Sequence, residues 1–301
     1  MSYGEESGPL AIAHRGGAHL GPENTMAAFA MSTALGLGYL ESDVRLTADG
    51  ELVCFHDEAL DRCTTSTGPV AAHTLADLRA RVRVGGTEPI PTLREALEAF
   101  PDTCFTVDLK DQAAIAPMAR LLQRRDYAER VCVAGAWDGW LQLLASQAPH
   151  VRAALGWRSL AALISAAKAG LPVPAGLVQG RFAHVPVQLG RLPINSEALV
   201  RRAHRLGIRV VVWTVDEPDL MHRLLDMGVD GIITDRPDVL RSVLINRRQW
   251  TSMGALPYAG PRCAGAESAP VRAHPQQAQT PKSRPLGRRC APDLVSAQSV
   301  I

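Results

Sequence analysis

Imidazole and charged side chains recur where short apolar segments end in the N-terminal part of the chain. The apolar segments are Leu10–Ala13, Tyr39–Val44, Leu52–Phe55 and Thr103–Leu109. The polar residues at or near their ends are His14, Arg15, Glu41, Asp43, His56, Asp57, Asp108 and Lys110. Glu41 and Asp43 are two positions apart, as are Asp108 and Lys110, so each pair points to one face of an extended strand.

Together these residue types indicate one kind of chemistry. Three carboxylates brought close together repel one another unless a cation or protons compensate their charge. Hard oxygen ligands without cysteine select Mg²⁺ or Ca²⁺. Two histidines supply an acid and a base near neutral pH, and an arginine and a lysine supply charge-assisted donors for phosphate. The set therefore predicts metal-dependent hydrolysis of a phosphodiester.

Each residue taken alone has a simpler interpretation. A single histidine at a strand end is usually a surface or hydrogen-bonded side chain, and Glu41 or Asp43 alone would be a salt-bridge partner. Thr92 and Glu95 have the T-x-x-E spacing of a helix capping box, so Glu95 is predicted to cap a helix and not to act in catalysis. The functional prediction depends on the residues meeting at one place.

The elements that would bring them together alternate between short β-type segments and helical patterns. Further strands are predicted at Val131–Ala134, Val151–Leu155, Gly176–Gln179, Ile208–Val215 and Val229–Thr234. Helices are predicted at Met26–Leu35, from Pro91, and at Ala113–Arg125, Trp140–Ser146, Ser159–Ala169, Ser196–Leu206, Pro218–Met227 and Pro237–Leu244. About eight strands in roughly 235 residues favour a closed (β/α)₈ TIM barrel of the α/β class, whose active rim lies at the carboxyl ends of the strands. No G-x-G-x-x-G follows the first strand, which argues against a dinucleotide-binding fold.

The predicted domain limits follow from breaks in this pattern. Residues 1–9 form an N-terminal extension, residues 10–246 form the barrel, and residues 57–90 form a small insertion after the second strand region. Residues 247–301 hold eight basic and two acidic side chains and seven of the 21 prolines. This segment is predicted to be a disordered basic tail. It is either a solvated appendage or a tether to an anionic surface.

Composition excludes several other classes of protein. With 47% hydrophobic and 21% charged residues, the 301-residue chain is globular. A net charge of +2 gives no argument for a nucleic-acid partner. No apolar segment is long enough to cross a bilayer, and the acidic first residues do not form a secretory signal. The six cysteines form no C-x-x-C pair, so we expect reduced thiols and a cytoplasmic location.

The order of the short motifs resembles the glycerophosphodiester phosphodiesterase family over residues 10–244. The matching motifs are His14-Arg15-Gly16, Pro22-Glu23-Asn24-Thr25, Glu41-x-Asp43, His56-Asp57, Pro91-Thr92-Leu93, Asp108-x-Lys110, Trp213-Thr214 and the segment Val229 to Asp235 with the following Arg-Pro. The resemblance implies a (β/α)₈ barrel that releases glycerol 3-phosphate and an alcohol. It implies His14 and His56 as the acid–base pair and Arg15 and Lys110 as phosphate-binding residues. It also implies one divalent cation, Mg²⁺ or Ca²⁺, held by Glu41, Asp43 and Asp108.

Some points stay open at the level of sequence. The third acidic position is commonly glutamate in this family, and Asp108 is shorter by about 1.5 Å, so either direct or water-mediated ligation is compatible with it. Trp213 is either an apolar wall of the substrate site or barrel core. The alternatives to hydrolysis are a lyase that cleaves lysophospholipid head groups to a cyclic phosphate, and a barrel that binds phosphodiesters without turnover. The roles of the two histidines, the metal, the alcohol and the oligomeric state are not fixed by sequence.

Overall fold

A computed structural model describes residues 2–135, 137–173, 176, 178, 180–189 and 192–252. The strands in chain order are β1 Leu10–Ala13, β2 Tyr39–Leu46, β3 Leu52–Cys54, β4 Cys104–Leu109, β5 Val131–Gly135, β6 Arg152–Ala153, β7 Phe182–Pro186, β8 Gln188–Leu189, β9 Leu192–Pro193, β10 Arg209–Trp213 and β11 Gly231–Thr234. Most of the predicted tail, from residue 253 onward, lies outside the described residues, so the division into barrel and tail stays a prediction.

Eight of these strands form a nearly closed parallel barrel. Their order around the barrel is β6, β5, β4, β2, β1, β11, β10 and β7, and an isolated parallel bridge between Ala154 and Phe182 joins the two ends. The first and last strands of the chain, β1 and β11, pair directly. The predicted (β/α)₈ architecture is therefore confirmed.

Ten α-helices alternate with these strands along the described part of the chain. They are α1 Met26–Ala34, α2 Leu75–Arg81, α3 Leu93–Ala99, α4 Ile115–Leu121, α5 Arg125–Ala128, α6 Asp138–Gln147, α7 Trp157–Ala169, α8 Glu197–Arg205, α9 Pro218–Asp226 and α10 Pro237–Asn246. The predicted capping box is present, because the Thr92 side chain accepts from the Glu95 N–H and the Glu95 carboxylate accepts from the Thr92 N–H. Within the described ranges, every helix is too short or too polar to cross a bilayer.

The strand register determines which interior side chains lie at the same height. The path of paired residues runs from His184 through Val211 and Gly231 to Leu10. When the same register is followed across the remaining strands, the path returns to the chain segment before β7 at residue 176. This residue is eight positions before the starting point, His184. That descent is the shear of a standard eight-stranded barrel, in which alternate strands contribute to each layer.

The interior consists of stacked layers that become more polar toward the carboxyl ends of the strands. From the bottom upward, the layers contain Tyr39, Cys132, Phe182 and Gly231, then Ile12, Thr106, Ala154 and Val211, then Glu41, Ala134, His184 and Ile233, and then His14, Asp108 and Trp213. The apolar members form one buried cluster, separate from the larger core between barrel and helices. The polar side chains thus lie on a packed apolar base.

The N-terminal residues close the lower end of the barrel. Tyr3 is buried, its ring makes edge contacts with Tyr39 and Phe182, and its hydroxyl lies 2.6 Å from the Thr106 hydroxyl. At the same level, residue 231 is a glycine because a Cβ there would lie only 2.9 Å from Leu10 Cβ on the neighbouring strand. The predicted extension is therefore a plug of the barrel.

Three predicted elements differ from the structure. Leu52–Phe55 is not a barrel strand, because β3 pairs antiparallel with β2 as the returning arm of a hairpin. The predicted helix Ala113–Arg125 is divided into a short 3-10 turn at Gln112–Ala114, α4 and α5. The predicted strand Gly176–Gln179 lies partly outside the described residues, and the sixth barrel strand is β7, further along the chain. The segment after β3 contains α2 and has a small core of its own.

Candidate active site

His14 occupies the first turn after β1 and is oriented by the last strand. Its Nδ1 lies 2.7 Å from Asp235 Oδ1, and its Nε2 lies 4.0 Å from Glu41 Oε2. With the proton on Nδ1, the Nδ1–H donates a hydrogen bond to the Asp235 carboxylate, which leaves Nε2 directed toward the site. Burial alone would lower the pKa of His14, but the Asp235 hydrogen bond and the Glu41 charge outweigh burial and raise it. Asp216 fixes Asp235 in turn by accepting its backbone N–H at 2.8 Å.

Two adjacent buried carboxylates, Glu41 and Asp43, point inward from β2 at alternate positions. Burial and then the charge of Asp43 raise the pKa of Glu41 to about 7, against the opposing effect of His14. Burial would also raise the pKa of Asp43, but Lys110 and other cations hold it well below its usual range. Asn24 supports this pair by donating to Asp43 Oδ2 at 2.9 Å. The site thus holds one firmly ionised carboxylate beside one that burial keeps readily protonated.

Asp108 and Lys110 come from β4, the strand next to β2. The register pairs Asp43 directly with Asp108. Lys110 Nζ lies 2.6 Å from Asp108 Oδ2 and 2.9 Å from Asp43 Oδ1, so it bridges the two carboxylates. Burial would lower the pKa of Lys110, but the two aspartates raise it, which keeps the ammonium charged. The prediction that both side chains share the face of Asp43 is confirmed.

His56 reaches the same rim by a different route from the one expected. Since β3 runs back toward the barrel, the chain after it returns His56 to the level of Asp43, whose carbonyl accepts the Phe55 N–H at 3.0 Å. His56 Nδ1 lies 2.7 Å from Asp57 Oδ1, so a carboxylate orients this imidazole as well. The position of His56 near the site was predicted correctly, but the reason given, the end of a parallel strand, was wrong.

A chain of ion pairs connects the two histidine regions. Arg62, in the insertion, contacts Asp57 Oδ2 at 2.5 Å and Glu23 Oε1 at 2.5 Å. Glu23 also accepts from Arg15 at 3.0 Å. The Arg15 Nε is shielded from solvent, has no hydrogen-bond partner among the described residues and lies 3.4 Å from Asp43 Oδ2. Arg15 therefore keeps a donor available beside the carboxylates, which suits a phosphate oxygen.

Seven of the eight predicted site residues lie together in the structure, and the eighth, Trp213, faces them. The seven are His14, Arg15, Glu41, Asp43, His56, Asp108 and Lys110. Trp213 ends β10, the seventh of the eight barrel strands, and so stands across the barrel from Asp108 on the third. The residue is partly exposed and packs against the interior apolar cluster. Its packing against the interior cluster fits the core interpretation, and its role as a wall of the substrate site stays a prediction.

The donor set can be compared with the requirements of a divalent cation. Among the described residues, no three His, Cys, Asp or Glu side chains converge as a ready ligand set. The chemistry of Glu41, Asp43 and Asp108 nevertheless suits a hard cation, since all their donors are carboxylate oxygens. Lys110 provides positive charge between two of them, while the raised pKa of Glu41 shows that the negative charge there is only partly compensated. The residues fit a hard divalent cation, which Glu41, Asp43 and Asp108 would hold.

Several residues at the site were not assigned a role from sequence. They are Glu23, Asn24, Asp57, Arg62, Asp216 and Asp235. Four of them, Glu23, Asn24, Asp57 and Asp235, lie within motifs that were already quoted. Arg62 had no such signal, because it does not follow an apolar segment, whereas Asp216 directly follows the predicted strand Ile208–Val215 and could have been found by the same rule.

The chain is similar to known proteins over most of its length. A model of the family described as "Glycerophosphoryl diester phosphodiesterase family" matches residues 14–239. The chain is 38% identical over 257 residues to "Probable glycerophosphodiester phosphodiesterase 2" of Mycobacterium tuberculosis, covering 83% of this chain and 96% of the relative. It is 32% identical over 250 residues to "Glycerophosphodiester phosphodiesterase" of Caldanaerobacter subterraneus, covering 77% and 96%.

Solved structures share the architecture. The glycerophosphodiester phosphodiesterase of Agrobacterium tumefaciens superposes with a TM-score of 0.63 at 25% identity, covering 76% of this chain and 97% of that one. A phosphodiesterase of Oleispira antarctica, solved with its product sn-glycerol-3-phosphate, superposes with a TM-score of 0.66 at 22% identity, covering 79% and 97%. The resemblance inferred from the motifs is confirmed: the chain belongs to the glycerophosphoryl diester phosphodiesterase family.

Proposed function

We propose that this protein is a phosphoric diester hydrolase that converts glycerophosphodiesters to glycerol 3-phosphate and an alcohol by histidine acid–base catalysis. The observation that carries the proposal is the arrangement of two imidazoles, each bound at Nδ1 by an aspartate. His14 pairs with Asp235 and His56 pairs with Asp57, both at 2.7 Å. Each Nε2 is thereby the atom available for proton transfer.

Binding of the phosphodiester falls to the two cations of the site. Arg15 presents its Nε, which has no hydrogen-bond partner in the described part of the chain, and Lys110 presents an ammonium that the aspartates keep charged. These groups neutralise charge that grows on the non-bridging oxygens as the new bond forms. Glu23 and Arg62 hold Arg15 in place, so the orientation of the phosphate depends on residues from the insertion.

Proton transfer divides between the two histidines. One Nε2 removes the proton from the attacking oxygen, which belongs to water or to a neighbouring glycerol hydroxyl. If the hydroxyl attacks, the alcohol leaves and a cyclic phosphate forms, which water must then open to give glycerol 3-phosphate. The other Nε2 protonates the oxygen of the departing alcohol. The aspartates keep each ring in one tautomer and stabilise the imidazolium form in turn, as expected for carboxylate-oriented imidazoles.

We further propose that Glu41, Asp43 and Asp108 hold one divalent cation, Mg²⁺ or Ca²⁺. When bound, such an ion supplies a Lewis acid that polarises the phosphoryl group. The chemistry of the donors supports this, as does the raised pKa of Glu41, since a bound cation would relieve its repulsion with Asp43.

The test is release of glycerol 3-phosphate from glycerophosphocholine by protein dialysed against EDTA, with and without added Mg²⁺ or Ca²⁺. We expect release only after the cation is restored, with choline formed in equal amount. Turnover that persists unchanged in EDTA would refute the metal requirement. A cyclic phosphate as the final product, seen by ³¹P NMR, would refute hydrolysis in favour of lyase cleavage, and binding without turnover would refute both.

A further inference from the structure

His184 is a polar side chain of the barrel interior that the mechanism above does not use. Its Nε2 is shielded from solvent and has no hydrogen-bond partner within the described part of the chain. A buried polar atom left without a partner destabilises a protein, and such atoms are uncommon in native folds. An atom of this kind therefore points to a partner that arrives with a ligand.

The strand register locates this atom under the active site. His184 lies two residues after Phe182 on β7, on the same inward face, and in the layer that also contains Glu41. Since β2 and β7 are the second and sixth of eight strands, the imidazole stands on the wall opposite Glu41. The layer above it contains His14, Asp108 and Trp213. His184 thus forms part of the floor beneath the reacting groups.

Room for a ligand exists above this floor. Ala134 occupies the same layer with only a methyl group, and His184 as a residue keeps partial exposure although its Nε2 does not. Below, the packed layers and Tyr3 close the barrel. A substrate can enter only from the mouth, so one end of it must rest on the floor.

The charge state of the His184 imidazole indicates which chemical group of a ligand it can bind. Burial lowers the pKa of His184 to about 4, although Asp108 acts in the opposite direction. At neutral pH the ring is therefore uncharged and can either donate or accept a hydrogen bond. Arg15 and Lys110 already provide the cations that phosphate requires. An uncharged imidazole is better matched to a hydroxyl, which can also donate or accept.

We propose that His184 is a specificity residue whose Nε2 forms a hydrogen bond with a glycerol hydroxyl of the substrate. The inference rests on the proposed function. The glycerol end is assigned to the floor because it is the part common to all glycerophosphodiesters, whereas the variable alcohol must leave through the mouth. A hydroxyl there would give the orphaned nitrogen its partner, so substrates without it would lose affinity.

The experiment compares H184L, H184Q and the parent protein. Leucine removes the hydrogen bond at similar volume, whereas glutamine can return a polar atom to the position of Nε2. For H184L we expect kcat/KM for glycerophosphocholine to fall about 10-fold, the loss typical of one buried hydrogen bond, with bis(p-nitrophenyl) phosphate unaffected. The inhibition constant of glycerol 3-phosphate should rise by the same factor, with that of inorganic phosphate unchanged. H184Q should recover most of the loss.

The melting temperature distinguishes a role in specificity from a structural role. Loss of a structural hydrogen bond would lower the melting temperature, whereas loss of a group used only by the substrate would not. Because the His184 Nε2 has no partner among the residues that the structure describes, H184L should melt at the same temperature as the parent or higher. T106V is the matched control one layer below, since it breaks the contact with Tyr3. It should lower the melting temperature and leave the discrimination between the two substrates unchanged. If H184L does not yield folded protein, H184M replaces it in every measurement.

Two results would overturn the proposal while leaving the proposed function intact. The first is that the parent enzyme releases glycerol 3-phosphate and that H184L has the same ratio of kcat/KM for glycerophosphocholine to kcat/KM for bis(p-nitrophenyl) phosphate as the parent. The other is weaker Mg²⁺ or Ca²⁺ binding to H184L in calorimetry without substrate, which would make His184 a metal ligand. A parent protein that neither cleaves glycerophosphocholine nor binds glycerol 3-phosphate would refute the proposed function, and the role of His184 with it.

Discussion

Replacing Glu41 by glutamine tests how much the two adjacent carboxylates of β2 destabilise the metal-free fold. Burial and Asp43 raise the pKa of Glu41 from 4.5 to about 7. One pKa unit corresponds to about 1.4 kcal/mol, so the ionised side chain lowers the free energy of unfolding by about 3 kcal/mol. Between these two pH values the folded state holds the proton more tightly than the unfolded chain. Stability should therefore fall as the pH rises from 4.5 to 7.

Glutamine removes this titration and can still accept the hydrogen bond that Arg15 N–H donates to Glu41 at 2.8 Å. The assay is urea unfolding in EDTA, followed by tryptophan fluorescence, at several pH values between 5 and 8. The stability of E41Q relative to the parent should increase with pH and reach about 3 kcal/mol at pH 8. E51Q, at an exposed carboxylate, is the control and should follow the parent. Parallel curves for E41Q and the parent would show that Glu41 is not strained by burial and repulsion.

The same reasoning gives three further predictions. His14→Ala and His56→Ala should each reduce kcat for glycerol 3-phosphate release by about 10²–10⁴-fold with little change in melting temperature, and normal turnover would remove that histidine from the mechanism. Asp108→Asn should lower activity in a way that added Mg²⁺ or Ca²⁺ partly restores, and Asp108→Glu should change the metal affinity, whereas an unaltered metal titration for both variants would make Asp108 structural. A chain ending at residue 252 should keep the melting temperature of the full chain in calorimetry, and one ending at 246 should melt lower, because Trp250 packs on the core beneath Arg241.

The parts of the site that sequence predicted are those set by local pattern. The ends of β1, β2 and β4 were recognised because each is a short apolar segment followed by polar residues at alternate positions. The parallel register of β2 and β4 then brings Asp43 and Asp108 side by side. The capping box at Thr92 and Glu95 was predictable for the same reason, since both members lie within one helical turn.

What sequence could not predict depends on distant parts of the chain. A hairpin arm and a barrel strand have the same local pattern, so β3 was assigned the wrong direction, although its return still delivers His56 to the rim. Placing the sixth barrel strand too early in the chain left His184 outside the predicted interior. The pairing of His14 with Asp235 joins residues 221 positions apart, and only closure of the barrel brings them together.

That pairing has a consequence for how the protein is made. Asp235, which orients His14, follows the last barrel strand, and β1 pairs with both β2 and β11. During synthesis the ribosome releases residue 235 only after nearly four-fifths of the polypeptide has emerged. A nascent chain can pair β1 with β2 early, but it lacks an oriented His14 until the ring closes. Activity would therefore appear abruptly at the end of folding, and a time course of product formation on a translating chain would report barrel closure.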